Sequence, residues 1–145
     1  MIMANAAAWP AQLAAPGAAR RPRPDKWSAL EYGCHVRDAH RLFDYRLGLM
    51  LTQDDPLYPN WDQDETAVAG RYDAQDPATV AAELTAAAQT LAARFAAVAG
   101  DQWARTGRRG DGASFTVETF ARYFVHDPVH HLYDVTGVRY AQPEP

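Results

Sequence analysis

The sequence predicts an all-α fold, a four-helix bundle with a long crossover connection between its second and third helices. Three observations predict it. Four stretches carry apolar residues at helical spacing, no stretch alternates apolar and polar residues for more than a few positions, and residues 52 to 75 follow neither pattern. So long a connection suits a crossover that runs the length of a bundle and leaves the helices on either side of it parallel. At 145 residues with 48% hydrophobic content, the chain has material for one core and reads as a single domain over residues 1 to 145.

The first helical stretch, residues 4 to 14, is short and contains Pro10, which lacks a backbone donor and is expected to bend it. The second opens on "SALE", a capping box in which Ser28 caps the helix and Glu31 reaches back, and its pattern runs to about Leu51. The connection that follows includes the acidic run "DQDE", which reads as a solvated face, and Tyr58 and Trp61, which are expected to pin the loop to the bundle, with lining the mouth of a pocket as the alternative. The third helix starts at "DPATVAAEL", with Asp76 as cap and Pro77 in the first helical position. It ends near Gly100, with Val80, Leu84, Leu91, Phe95 and Val98 as its apolar stripe. After it, "DQWARTGRRGDGASFT" holds a Gly-Asp-Gly turn and predicts a small hairpin. The fourth helix runs from about Val117, after Thr116 as cap, to Val135, with Gly137 as its stop.

Charge and cysteine content narrow the function classes. A formal charge of -4 and a pI near 5.6 offer no counter-charge to nucleic acid or to an acidic membrane surface. Cys34, the lone cysteine, excludes an internal disulfide framework and any CxxC zinc or redox motif, and fits a reducing cytoplasm. Its position predicts a small packing residue rather than a nucleophile. The alanine-rich N-terminal stretch lacks the basic leader and large apolar run of a signal peptide, and no stretch approaches the roughly 20 apolar residues of a membrane helix. The expected partners are small molecules, with a homodimer compatible with the sequence.

Three of the five histidines fall within "FVHDPVHHLYD", residues 124 to 134. His126 and His130 are four apart, which on a helix puts both imidazoles on one face, whereas His131 points about 100° away. Pro128 lies between them and kinks the helix if the helix is continuous; alternatively Asp127 caps a new helix that begins at Pro128. The apolar pattern of Phe120, Phe124, Leu132 and Val135 continues across the proline and favours one continuous helix. On the second helix His35 lies about two turns in, and inward histidines from different helices can meet in a bundle core. His35, His126 and His130 are therefore the expected metal ligands, three neutral imidazoles that suit an open site for zinc, nickel or Fe(II). The alternative makes His126 and His130 ordinary packing or interface residues unrelated to His35. Asp38 and Arg46 share the His35 face: a carboxylate there can fix a ligand's tautomer and an inward arginine can hold an anionic substrate, so both are candidate catalytic residues, with pairing as structural ions in the bundle an equal alternative. Asp134, four after His130, is a further carboxylate of the first kind. His40 and His131 are expected at the surface or behind the ligands.

The segments "RPRPDKWSALEYGCHVRDAHRLFDYRL", "DPLYPNWDQDE" and "GDGASFTVETFARYFVHDPVHHLYDV" resemble the DinB-like superfamily of bacterial four-helix-bundle proteins, over about residues 20 to 137. The family pattern has one histidine in the second helix and an HxxxH pair in the fourth, which His35, His126 and His130 match. The resemblance implies a divalent metal and, in several members, thiol S-transfer with mycothiol, bacillithiol or glutathione; a related domain supplies the iron site of sulfoxide synthases. Members usually have a full-length first helix, whereas only a dozen or so residues precede the loop around Pro16 here. The function expected is a metal-dependent thiol S-transferase in which the metal activates a mycothiol-type co-substrate. The alternatives are a non-catalytic metal-binding stress-response module and an oxygen-using Fe(II) enzyme.

Overall fold

In the computed structural model, which describes residues 1 to 138, the order of elements is α1 (Ile2–Ala6), α2 (Trp9–Ala14), α3 (Ala29–Thr52), β1 (Leu57–Tyr58), α4 (Gln63–Ala69), α5 (Pro77–Ala96), β2 (Thr106–Arg109), β3 (Ser114–Thr116) and α6 (Val117–Thr136). The helix starts are set where side-chain oxygens meet the free backbone donors of the first turn. Ser28 Oγ accepts from the Glu31 amide while Glu31 Oε1 accepts from the Ser28 amide, both at 3.1 Å. Arg21 grips the same Glu31 carboxylate with two hydrogen bonds, of 2.8 and 2.6 Å, so the start of α3 is also tied to the preceding loop. Asp76 caps α5 by accepting from the Thr79 amide at 2.9 Å, with Pro77 first in the helix. Thr116 caps α6, and Gly137 ends it at φ 69°, a left-handed conformation that costs glycine little.

Helix directions follow from the side-chain partners. Arg41 meets Glu83 and Asp44 meets Arg94, so residue numbers rise together and α3 and α5 are parallel. His35 meets Asp127, His40 meets Phe124 and Phe43 meets Phe120, so α3 and α6 are antiparallel. The long connection is the expected crossover, but it is not structureless. Asp62 accepts hydrogen bonds from the amides of Asp64 and Glu65 and nucleates α4, so "DQDE" begins a helix as well as facing solvent.

The first wall is also built differently from expectation. Rather than one bent helix, the chain forms two short helices, and Pro10 sits in the first turn of α2, where its missing donor costs nothing. Ala6 and Trp9 pack with Val36, Leu84 and Leu132, and Leu13 packs with Leu30 and Val80. Trp9 is fully buried, so this pair of helices closes the bundle in place of a longer one. Gly33 permits the contact: a Cβ there would come within 2.9 Å of the Leu13 side chain. Truncating a buried Trp typically costs about 3–5 kcal/mol, which makes α2 part of the fold's stability rather than an appendage.

The fold is not strictly all-α. The predicted hairpin forms as β2 and β3, turning at Gly112 with φ 93°, and β1 joins β2 in parallel to make a three-stranded sheet in the order β1-β2-β3. A two-residue strand such as β1 leaves no alternation to read in a sequence. The sheet lies at one end of the bundle, against Met50 and Phe120, and fixes the segment that carries Asn60 and Trp61 beside the turn that carries Arg109 and Asp111. Among the described residues, no helix is long and apolar enough to cross a membrane.

Candidate metal centre

α6 is one continuous helix through Pro128, as the apolar pattern favoured. Its buried stripe is Phe120, Phe124, Pro128 and Leu132. That stripe decides which polar side chains turn inward. At about 100° per residue, His126 lies about 200° from Phe124, whereas Asp127 lies only about 60° from it. The structure follows this arithmetic: His126 and His130 are exposed on the outer face, and Asp127 and His131 turn toward α3. The expected trio of His35, His126 and His130 is not brought together. In its place His35, Asp127 and His131 converge, with one ligand atom from each inside a sphere of mutual separations of 4.8 Å.

In this cluster Asp127 sits between two imidazoles, its Oδ2 3.2 Å from His35 Nε2 and its Oδ1 3.1 Å from His131 Nε2. Tetrahedral ligands at about 2.1 Å from an ion lie roughly 3.4 Å apart, close to these separations. His131 Nδ1 is 3.2 Å from Asp134 Oδ2, so Asp134 can hold the proton on Nδ1 and leave Nε2 directed at the centre. The expected tautomer-fixing carboxylate is thus present, but behind His131 and not His130. Two imidazole nitrogens, one carboxylate and an outer carboxylate are a donor set that fits a divalent metal.

The electrostatics are those of a closely coupled cluster. Burial on its own would raise the Asp127 carboxyl, but the hydrogen bonds and charges of His131 and His35 outweigh it and hold the group well below the usual carboxylate range. Burial likewise disfavours protonated His131, and is overcome by the hydrogen bonds and charges of Asp127 and Asp134, which raise it. His35 is buried, and its Nδ1 has no hydrogen-bond partner among the described residues. Ring packing positions it instead: Trp61 stacks on it at 5.1 Å with planes 7° apart, and His131 meets it edge-on at 4.6 Å. Trp61 is therefore at the centre, beyond its expected role as a loop anchor.

A cavity of about 270 Å³ extends from His35, Asp127 and Trp61 along α3, past Leu42 and Phe43, to Arg46, Arg109 and Asp111. Arg46 thus lies in the same cavity as the cluster, as its shared face with His35 predicted. Asp38 does not line it. Its carboxylate is occupied on the α5 side by Arg37, Arg41 and the Tyr72 hydroxyl. Cys34 is fully buried, with its thiol pushed up to about 12 by burial, which fits the packing role expected of it. His40 is not at the surface; it is buried against Phe124, with Nδ1 2.6 Å from the Val36 carbonyl.

Residues 7–135 match the family model described as DinB superfamily. Among solved structures, the chain is similar to YfiT from Bacillus subtilis, described as a probable metal-dependent hydrolase with an unusual four-helix bundle topology. The identity is 21%, the TM-score 0.78, and the match covers 94% of this chain and 82% of that one. At this identity the likeness shows the fold. No curated protein matches the chain significantly.

Proposed function

This chain belongs to the DinB superfamily, and from that premise we propose that it is a metal-dependent thiol S-transferase whose divalent ion is held by His35, Asp127 and His131. The observation that carries the reading is the convergence of these three side chains, backed by Asp134, at one end of a cavity. Held by His35, Asp127 and His131, a divalent ion would supply Lewis-acid activation of a thiol from outside the protein, whose pKa near 8.5 needs a far smaller drop than the 15.7 of water. Asp127 lowers the net charge at the centre, which favours the more acidic nucleophile. Asp111 cannot readily serve as a general base, because Arg109 holds it through two hydrogen bonds, of 3.0 and 2.8 Å, and keeps its carboxyl below the usual range. Cys34 is sealed in the core, so the thiol comes from a co-substrate. Mycothiol, bacillithiol and glutathione are the thiols to try, with zinc the first metal and nickel or Fe(II) next.

A second reading is hydrolysis. It is favoured by the carboxylate in the donor set, which zinc hydrolases also use, and by the description of the similar Bacillus structure. The same set of two histidines and one carboxylate suits Fe(II). Elemental analysis of untagged protein, followed by thiol-conjugation and ester-hydrolysis assays with and without chelator, separates these readings. Metal-dependent consumption of thiol supports the transferase. Thiol-independent ester cleavage supports the hydrolase, and a bound metal with neither activity supports a non-catalytic module.

A further inference from the structure

The end of the cavity away from the metal cluster holds a charge that is paired directly with no carboxylate among the described residues. Arg46 is only 4% exposed, yet it forms no ion pair among the described residues. Its Nη2 donates to the Pro59 carbonyl at 2.7 Å, and its guanidinium lies 4.7 Å from the centre of the Tyr58 ring. Its Nε and Nη1 have no hydrogen-bond partner among the described residues and are not among the sealed polar atoms, so their remaining donors open on the cavity that Arg46 lines. Arg109, nearby, differs in this respect because Asp111 matches its charge. Burial lowers Arg46, whereas the hydrogen bonds that Arg109 donates to Asp111 raise Arg109, so the two guanidiniums differ in sign of shift as well as in partner. A buried cation without a counter-charge is costly unless a ligand supplies one.

We propose that Arg46 is a specificity-determining anchor for the carboxylate of an elongated substrate, whose reactive end lies at the His35, Asp127 and His131 cluster. One unmatched positive charge calls for one negative charge, and the planar guanidinium fork matches a carboxylate. Ala39, Leu42, Phe43 and Tyr123 of α3 and α6 line the stretch between the two ends on the helix side, with Asn60 and Gln63 also lining the cavity, so the ligand's middle lies against an apolar strip of the helices. Its length follows from the helix. His35 and Arg46 are eleven residues apart on α3, about 16 Å along the axis, so a short acid such as acetate cannot occupy both ends.

This inference deepens the function proposed above by naming a feature of the substrate, but its test does not depend on the metal. Binding of octanoate, 1-octanol, acetate and octyl phosphate is measured by calorimetry on the full chain in the presence of chelator. Wild type is expected to bind octanoate at least roughly tenfold more tightly than 1-octanol or acetate, as charge-assisted hydrogen bonds allow. Arg46→Met should remove the preference for octanoate over 1-octanol, and Arg46→Lys should retain part of it, with thermal unfolding confirming that each variant is folded. If Arg46→Met does not fold, a reduced octanoate preference in Arg46→Lys carries the test. Equal binding of octanoate and 1-octanol by wild type, an undiminished preference in both variants, or tighter binding of octyl phosphate than of octanoate would overturn the assignment. Such a result, with metal binding intact in a separate titration, would leave the metal centre standing and refute the anchor alone.

Discussion

α6 carries two pairs with the same spacing, His126 with His130 and Asp127 with His131, one residue out of phase. The first is exposed and, among the described residues, joins no cluster with His35; the second forms the candidate centre with it. Spacing of four establishes only that two side chains share a face. Which face it is depends on the apolar stripe, here Phe120, Phe124 and Leu132, and the pair on the flank of that stripe is the one that reaches the bundle interior.

The largest expected effect breaks the symmetry between the pairs directly. By titration calorimetry, His35→Ala, Asp127→Ala and His131→Ala should each weaken binding of zinc by more than about 100-fold, since even partners behind the ligands cost 10–100-fold. His126→Ala and His130→Ala should stay within about twofold. Equal losses in both pairs would mean that the arrangement in solution is not the one described.

A smaller effect concerns stability. Because the ligands join α3 to α6, zinc at about 100 times its dissociation constant should add about 2.7 kcal/mol and raise the Tm by roughly 5–12 °C. The same zinc should raise the Tm of Asp127→Ala by no more than about 2 °C while still stabilising His126→Ala, which differential scanning calorimetry can read.

Trp61 sharpens the comparison optically. Stacked on His35, it should report the inner pair alone: Co(II) or Ni(II) should quench part of the tryptophan fluorescence in wild type and in His130→Ala. Trp61→Phe should lose part of that quench, the remainder coming from Trp27, whose ring lies 5.6 Å from His35, with zinc affinity changed by less than the roughly 10-fold minimum for loss of an outer partner. Quenching that persists in full would assign the signal to another tryptophan.

The smallest effect isolates the fold from the centre. The Glu31 carboxyl is held below its ordinary value chiefly by its hydrogen bond with Arg21 and, against the opposing effect of burial, by its cap bonds with Ser28. A depressed folded value means that this contribution is present above the unfolded value of about 4.3 and is lost as pH falls through the folded one. In chelated protein, Glu31→Gln should therefore flatten the dependence of the urea midpoint on pH in the acid range, whereas His126→Ala should not.

Much of the fold was legible because its signals are local. Ser28 with Glu31, Asp76 with Pro77, Thr116 and Gly137 each mark a helix end through a chemistry complete within a few residues. What escaped was set at a distance. β1 exists because Pro56 and Tyr58 carbonyls accept from Arg108 and Gly110, about fifty residues later. α1 and α2 replace a full helix because Trp9 and Leu13 find α3, α5 and α6. At the site, His35 and Arg46 were legible from their shared face on α3. Asp127 and His131 were not, because a histidine pair outweighs an aspartate and a histidine when spacing is the only criterion. The phase of Phe124 relative to Asp127 was in the sequence and carries the distinction. Trp61 reaches His35 only through the crossover and left no local sign.

The first and second members of the candidate centre, His35 and Asp127, are separated by 92 positions along the chain. A ribosome makes α3 before α6, so a polypeptide that has emerged only as far as α5 carries one imidazole of the cluster and no carboxylate or second imidazole to join it. The centre therefore has no precursor that can compete for scarce ions at an early stage of translation. An ion held by His35, Asp127 and His131 would be captured only once α6 has docked on α3, so its capture would report that docking.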